Sequence, residues 1–150
     1  MKRLILKSKL FFSVIGIVLI NSCGLFDNGS DKIIGDYKVQ WIDMHSSRSI
    51  CKTPKKYPDL CETLVFEYVF AVGHNSDYII AKQHPTSGFE NGYEVDTSIT
   101  NYFILDIKSN TNDNRNRVTG PMQENEFKKT ALELNINEIV FDQTYPENPY

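Results

Sequence analysis

The sequence predicts an α+β domain: four or five mostly antiparallel strands in a sheet, with one helix from the C-terminal half packed on it. Three observations carry this. Apolar residues alternate with period two in several runs between Ile33 and Lys108, the pattern of strands with one or both faces buried. The two strongest runs are joined by His74-Asn75-Ser76-Asp77, turn residues that make them a hairpin. Helical spacing appears late, over 124–134, so strands come first and the helix last, the order of an α+β fold.

The chain opens with Lys2, Arg3, Lys7 and Lys9, followed by an uncharged apolar run from Leu10 to Ile20. A membrane-spanning helix needs about 20 apolar residues, so this run has the length of a signal-peptide core instead. It ends at Ile20-Asn21-Ser22-Cys23, which resembles the bacterial lipobox. The resemblance implies removal of residues 1–22 and lipidation of Cys23. Asn21 is a less usual occupant, whereas the small Ser22 suits the peptidase pocket. Two or more acyl chains hold a protein stably on a membrane, where one alone binds marginally. Gly24, not Asp, follows the cysteine; by the sorting rule of enteric bacteria this points to the outer membrane in a cell that has one. The expected place is the cell envelope, with the domain outside the cytoplasm.

Without the leader, 128 residues remain, the size of one domain, with twelve basic against nineteen acidic residues and a net charge of −7. A net-negative domain without a Lys/Arg cluster is a poor nucleic-acid binder, since phosphate neutralisation supplies most of that affinity. Nine Phe, eight Tyr and one Trp in the chain are enough for a proper core. Assigning Cys23 to lipid leaves Cys51 and Cys61 as a pair, which an exported setting allows to oxidise.

Residues 23–32 are the lipidated cysteine and a polar tether, 33–142 the domain, and 143–150 a tail. Ile33–Met44 is the first expected strand, with Tyr37, Val39 and Trp41 on one face and Lys38 and Gln40 on the other. Residues 45–49 are a loop. The segment from Cys51 to Cys61 holds Pro54, Pro58, Lys55 and Lys56 and suits an irregular ring closed by a disulfide. A catalytic thiol and a metal pair are the rival readings; nine intervening residues is not a zinc-knuckle spacing, and an exported thiol nucleophile tends to oxidise. Thr63–Gly73 is the most strand-like run, apolar on both faces and therefore expected to be central. Tyr78–His84 completes the hairpin.

From Pro85 to Asp96 the chain is a polar excursion with a turn signal at Asn91-Gly92 and two aromatics, Phe89 and Tyr93. These either fold back on the core or form a contact surface, as loops on a rigid scaffold do. They are the candidate partner-contact residues. Ile99–Lys108 is a further strand, with Ile99, Phe103, Leu105 and Ile107 on one side, followed by a polar run to Val118. Gly120-Pro121 introduces the helix. Gln123 is placed as N-cap, Glu126 at the capping-box position, and Met122 with Phe127 as a hydrophobic staple. Phe127, Ala131 and Leu134 form the buried stripe, and Asn135 ends the helix in the left-handed conformation. Ile136–Phe141 is a last short strand.

Three stretches, Tyr78–Lys82, Asn101–Asp106, and Gly120-Pro121 with Glu126-Phe127, together resemble a family of small bacterial lipoproteins known only as a domain of unknown function. The resemblance runs from Gly35 to Phe141 and implies the fold above; Gln123 departs from the Ser or Thr usual there. It implies no chemistry.

No GxSxG elbow, P-loop, GxGxxG, HExxH or His-x-His pair occurs. His45, His74 and His84 are expected in solvated loops or at strand ends, and they predict no metal or cofactor. Asp106 is either a buried acid with a raised pKa or the acceptor for the turn after its strand. The expectation is a non-enzymatic, lipid-anchored module whose sheet and loops bind another envelope component, expected to be a protein. An inhibitor or immunity-type lipoprotein and a small hydrolase using scattered carboxylates are the alternatives.

Overall fold

The computed structural model describes residues 28–87, 94–108 and 118–147; Cys23, Phe89 and Tyr93 lie outside the described residues. The strands in chain order are Gly29–Ile34 (β1), Tyr37–Trp41 (β2), Ser49–Lys52 (β3), Glu62–Val65 (β4), Val69–His74 (β5), Tyr78–Gln83 (β6), Thr86–Ser87 (β7), Glu94–Val95 (β8), Asn101–Asp106 (β9), Val118–Met122 (β10) and Gln143–Thr144 (β11), with the helix Glu124–Glu133 (α1) between the last two. All pairs are antiparallel.

They build three layers. The outer sheet has the order β1-β2-β3-β4, and the inner sheet β10-β9-β6-β5-β11; β7 and β8 pair as a separate ribbon. One core lies between the sheets: Ile33, Tyr37, Val39, Ile50 and Val65 meet Val69, Val72, Ile79, Ala81, Phe103 and Leu105. A second lies between the inner sheet and the helix, where Ile80, Tyr102 and Ile104 meet Met122, Phe127, Ala131 and Ile136. Successive strand residues point to opposite faces, so Ile79 and Ile80 serve different cores. A sheet covered on both faces reads as apolar on both, as the sequence does in β5, β6 and β9.

The α+β expectation therefore holds, with two sheets in place of one. Several element bounds differ. β1 starts at Gly29, four residues before the expected Ile33, and withdraws Gly29–Lys32 from the tether. β3 occupies ground expected to be loop, and β10 was not expected. The run Thr63–Gly73 is two strands: Tyr68 has φ 65°, and there the chain leaves the outer sheet for the inner one. Phe66, expected on a strand face, is 72% exposed.

The hairpin β5–β6 forms as expected. Asn75 Oδ1 accepts from Asp77 N at 2.9 Å and Tyr78 N at 2.8 Å, closing the turn. Helix α1 has Gln123 as its N-cap residue without a side-chain cap bond, and Met122 and Phe127 are both buried. Its end is a Schellman motif: Ile136 N donates to Ala131 O at 2.8 Å, Asn135 N to Leu132 O at 3.1 Å, and Asn135 has φ 55°. Leu134, expected in the buried stripe, is exposed at 38%. Ile136–Phe141 is not a strand. Ile139 N turns back to Ile136 O, and the last strand, β11, lies in the expected tail and pairs with β5.

Candidate functional site

Two places gather side chains whose positions the core alone does not explain. The first is a polar seam where the sheets meet. After β2 the chain turns sharply: Asp43 has φ 69°, and Ser47 Oγ donates to Ile42 O and Met44 O, each at 2.8 Å. This turn aims Arg48 inward, where it is 2% exposed. Its Nε donates to Val69 O and its NH2 to Pro146 O, each at 2.8 Å, and its NH1 to His45 O. Three carbonyls from separate parts of the chain thus hold one guanidinium, 4.8 Å above the Tyr145 ring. Burial pulls Arg48 below its ordinary pKa, against a smaller opposing influence of Tyr145; arginine keeps its charge in proteins all the same.

Tyr145 carries the seam to β1. Its hydroxyl donates to Asp31 Oδ2 at 3.0 Å and accepts from Gln143 Nε2 at 2.7 Å, while its N–H donates to Phe70 O at 2.8 Å. Burial first, then Asp31, push its pKa up.

His84, expected in solvent, is 2% exposed and stacked on Phe70 with ring centroids 4.3 Å apart. Nδ1 lies 2.8 Å from Ile99 O; a carbonyl can only accept, so Nδ1 carries the proton. Among the described residues Nε2 is buried without a hydrogen-bond partner, 3.7 Å from Glu147 Oε2. That distance exceeds a hydrogen bond, and the contact is an ion pair only when the ring is protonated. A nitrogen shut off from solvent does not meet a substrate in this conformation. The seam ties the two sheets and the C-terminal segment together. His45 and His74 are exposed, as expected. Asp106 is half-buried, and its Oδ1 accepts from Lys108 N at 3.0 Å, the turn-capping role.

The second place is the outer face of the outer sheet. Tyr37 and Val39 point into the core, so Lys38, Gln40 and Ile42 point out. Cys51 faces the same way and is joined to Cys61, with Cα atoms 5.5 Å apart; the expected disulfide is present. Gln40 Oε1 lies 3.5 Å from the Cys51 sulfur, a contact and not a hydrogen bond, because a disulfide sulfur has no proton.

Two grooves run over this face. One, of about 290 Å³, lies among Gln40, Ile42, Ser49, Thr63, Phe66 and the disulfide. The other, of about 480 Å³, shares Gln40 and Ile42 and is bounded by Asn28, Trp41, Pro58 and Asp59. Ile42 is 58% exposed, and Met44, Tyr57, Leu60 and Phe66 are also open to solvent. Among the described residues no three His, Cys, Asp or Glu side chains converge to hold a metal ion.

Of the residues singled out in the sequence, the fold brings Cys51 and Cys61 together on this face. Sequence reasoning missed Arg48, Tyr145, Ile42 and Phe66. Ile42 had a signal, since it is out of phase with Tyr37, Val39 and Trp41; Arg48 in His-Ser-Ser-Arg-Ser had none.

A family model described as "Protein of unknown function (DUF3997)" matches residues 34–145, which takes in both cores except Ile33, the disulfide loop, and Arg48 and Tyr145 of the seam. No curated protein and no solved structure matches the chain.

Proposed function

Since the chain belongs to the DUF3997 family, a family of proteins of unknown function, we propose from its own chemistry that it is a lipid-anchored cell-envelope protein that works by binding another envelope component. Acylation at Cys23 holds it to the membrane, and the outer face of the four-stranded sheet makes the contact. The observation that carries the binding role is the gathering of Ile42 and Phe66, 58% and 72% exposed, along grooves rimmed by Gln40, Ser49 and Thr63. An exposed apolar patch with a polar rim is the signature of an interaction surface. The disulfide supports this use, because it fixes the loop beside the grooves without needing core residues from it.

Two measurements test the reading. Metabolic labelling with an alkyne analogue of palmitate marks the wild type and not Cys23→Ala; equal labelling removes the anchor. A photoreactive residue at position 42 or 66, activated in intact envelopes, gives an adduct with an envelope component, whereas the same residue at the exposed helix position 132 does not. Equal adducts at all three positions remove the binding surface. Phe89→Ala with Tyr93→Ala tests the segment 88–93, whose two ends are pinned together by the pairs Thr86–Val95 and Ser87–Glu94; weaker capture assigns it to the same contact, and unchanged capture takes it out.

A further inference from the structure

We infer that the envelope component met by this face is the anionic surface of the membrane that carries the anchor. The inference rests on lipidation at Cys23 and deepens the binding role by naming its partner.

The first argument is reach. β1 begins at Gly29, and Asn28 Oδ1 is already held by Asp43 N at 2.8 Å. Five residue-to-residue steps lead from Cys23 to Asn28, a span of at most about 18 Å when fully extended. A domain of this size has a radius of gyration of about 14 Å and a diameter of about 35 Å. The tether is shorter than the body it holds, so the surface around Asn28 stays on the membrane side. That surface is the larger groove, bounded by Asn28, Trp41, Ile42, Pro58 and Asp59.

The second argument is composition. Five of the nine exposed large apolar side chains among the described residues, namely Ile42, Met44, Tyr57, Leu60 and Phe66, belong to the outer sheet and its loops. Lys55 and Lys56 are exposed in the same disulfide loop, and Lys56 Nζ lies 5.3 Å from the Tyr57 ring centroid. Aromatic rings with neighbouring lysines suit the membrane interface, where the ring enters the headgroup layer and the ammonium meets lipid phosphate.

Charge supplies the orientation. Residues 28–67 hold six basic and six acidic side chains, whereas the other described residues hold four basic and ten acidic ones. An anionic surface repels the second group and not the first. Asp43, Asp59 and Glu67 lie on the membrane side and oppose docking; Lys38, Lys55 and Lys56 match them in number, and Lys55 and Lys56 stand together on the exposed disulfide loop. A protein partner would have to enter the gap that an 18 Å tether leaves, whereas lipid is already there.

Trp41, the only tryptophan, borders the larger groove at the end of β2, where its ring turns to the inner side against His45 at 4.7 Å, and it reports on how near that edge comes to the headgroups. The test uses the full lipidated chain in vesicles of phosphatidylglycerol and phosphatidylethanolamine, or of phosphatidylcholine alone, each carrying a headgroup spin-labelled lipid that quenches nearby tryptophan. Detergent phase partitioning of the same samples reads the anchor separately. The expected result is strong quenching in the anionic vesicles and weak quenching in phosphatidylcholine. Lys55→Gln with Lys56→Gln lowers the docked-to-undocked ratio about fivefold per lysine, while Lys128→Gln with Lys129→Gln on the helix leaves it unchanged. Protein in the detergent phase with Trp41 equally quenched in both vesicles, or unquenched in both, overturns docking and leaves the anchor standing. Protein in the aqueous phase overturns the anchor, and the docking inference with it. An adduct between position 42 and an envelope protein, with Trp41 unquenched in vesicles, gives the face to a protein partner and overturns the lipid assignment.

Discussion

Replacing Arg48 by Met isolates the seam. The substitution keeps a long apolar stem and removes the donors to Val69 O, His45 O and Pro146 O. A hydrogen bond from a charged donor contributes about 1.5–3 kcal/mol, and a buried carbonyl left without a partner costs about 1–3 kcal/mol. The contact over Tyr145 adds about 1 kcal/mol. Against these losses stands the desolvation of a guanidinium that is 2% exposed, which the variant no longer bears. The balance is a loss of about 3–5 kcal/mol, a large share of the 5–15 kcal/mol typical of a domain, and a fall in Tm of about 10–20 °C. Thermal and urea unfolding measure it. Hydrogen exchange at Tyr145 N, which bonds Phe70 O, shows whether the C-terminal segment comes loose first. Arg48→Lys should recover less than half the loss, because one ammonium cannot meet three carbonyls set around a planar fork. A Met variant within 1 kcal/mol of wild type, with Tyr145 exchange unchanged, refutes the seam as a tie between the sheets.

Three further outcomes follow from single contacts. Cys51→Ser with Cys61→Ser should cost about 2–3 kcal/mol by the chain-entropy estimate for so small a ring, seen as a lower urea midpoint that a reductant reproduces in the wild type only. Gly73→Ala should cost about 2–3 kcal/mol, because its Cβ would stand 2.0 Å from Val140 O, a backbone atom that cannot swing away; an unchanged Tm would mean that segment 136–142 packs elsewhere. Tyr145, with its pKa raised by burial and Asp31, should resist ionisation in an absorbance titration of the tyrosinate band. A raised acid pKa means that its share of stability is intact below the unfolded value of about 10 and is lost as pH rises beyond it, so Tyr145→Phe should weaken the dependence of stability on pH above 10.

Much of the fold was legible because its signals are local. Alternation marks β2, β5, β6 and β9, and the pair Met122–Phe127 with Asn135 marks both ends of the helix. The missed elements depend on distant partners. β3 is four residues, Ser-Ile-Cys-Lys, held only by β2 and β4 on its two sides. The break at Tyr68 is invisible to periodicity, since apolar residues continue through it. Ile136–Phe141 has strand-like composition, but Ile136 N–H is spent on the helix end and Val140 packs against Gly73 across β5. The seam was illegible for the same reason in stronger form: Arg48 meets Pro146 across 98 positions and Tyr145 meets Asp31 across 114.

The docking face stands between these cases. Once Tyr37 and Val39 are buried, the register of β2 leaves Ile42 facing outward, so the alternation that builds the core also lays an apolar residue on the surface. An Ile placed there without a core role costs nothing to remove. Ile42→Ser should therefore change stability by less than 0.5 kcal/mol, as surface substitutions do, while reducing Trp41 quenching in anionic vesicles. Val39→Ser, three residues earlier and on the buried face at 0% exposure, should cost about 2–4 kcal/mol from lost burial and an unsatisfied hydroxyl. Urea unfolding of the two variants side by side separates surface from core. If Ile42→Ser destabilises the domain as much as Val39→Ser, then Ile42 is a folding residue, and the outer face is not free to meet a membrane.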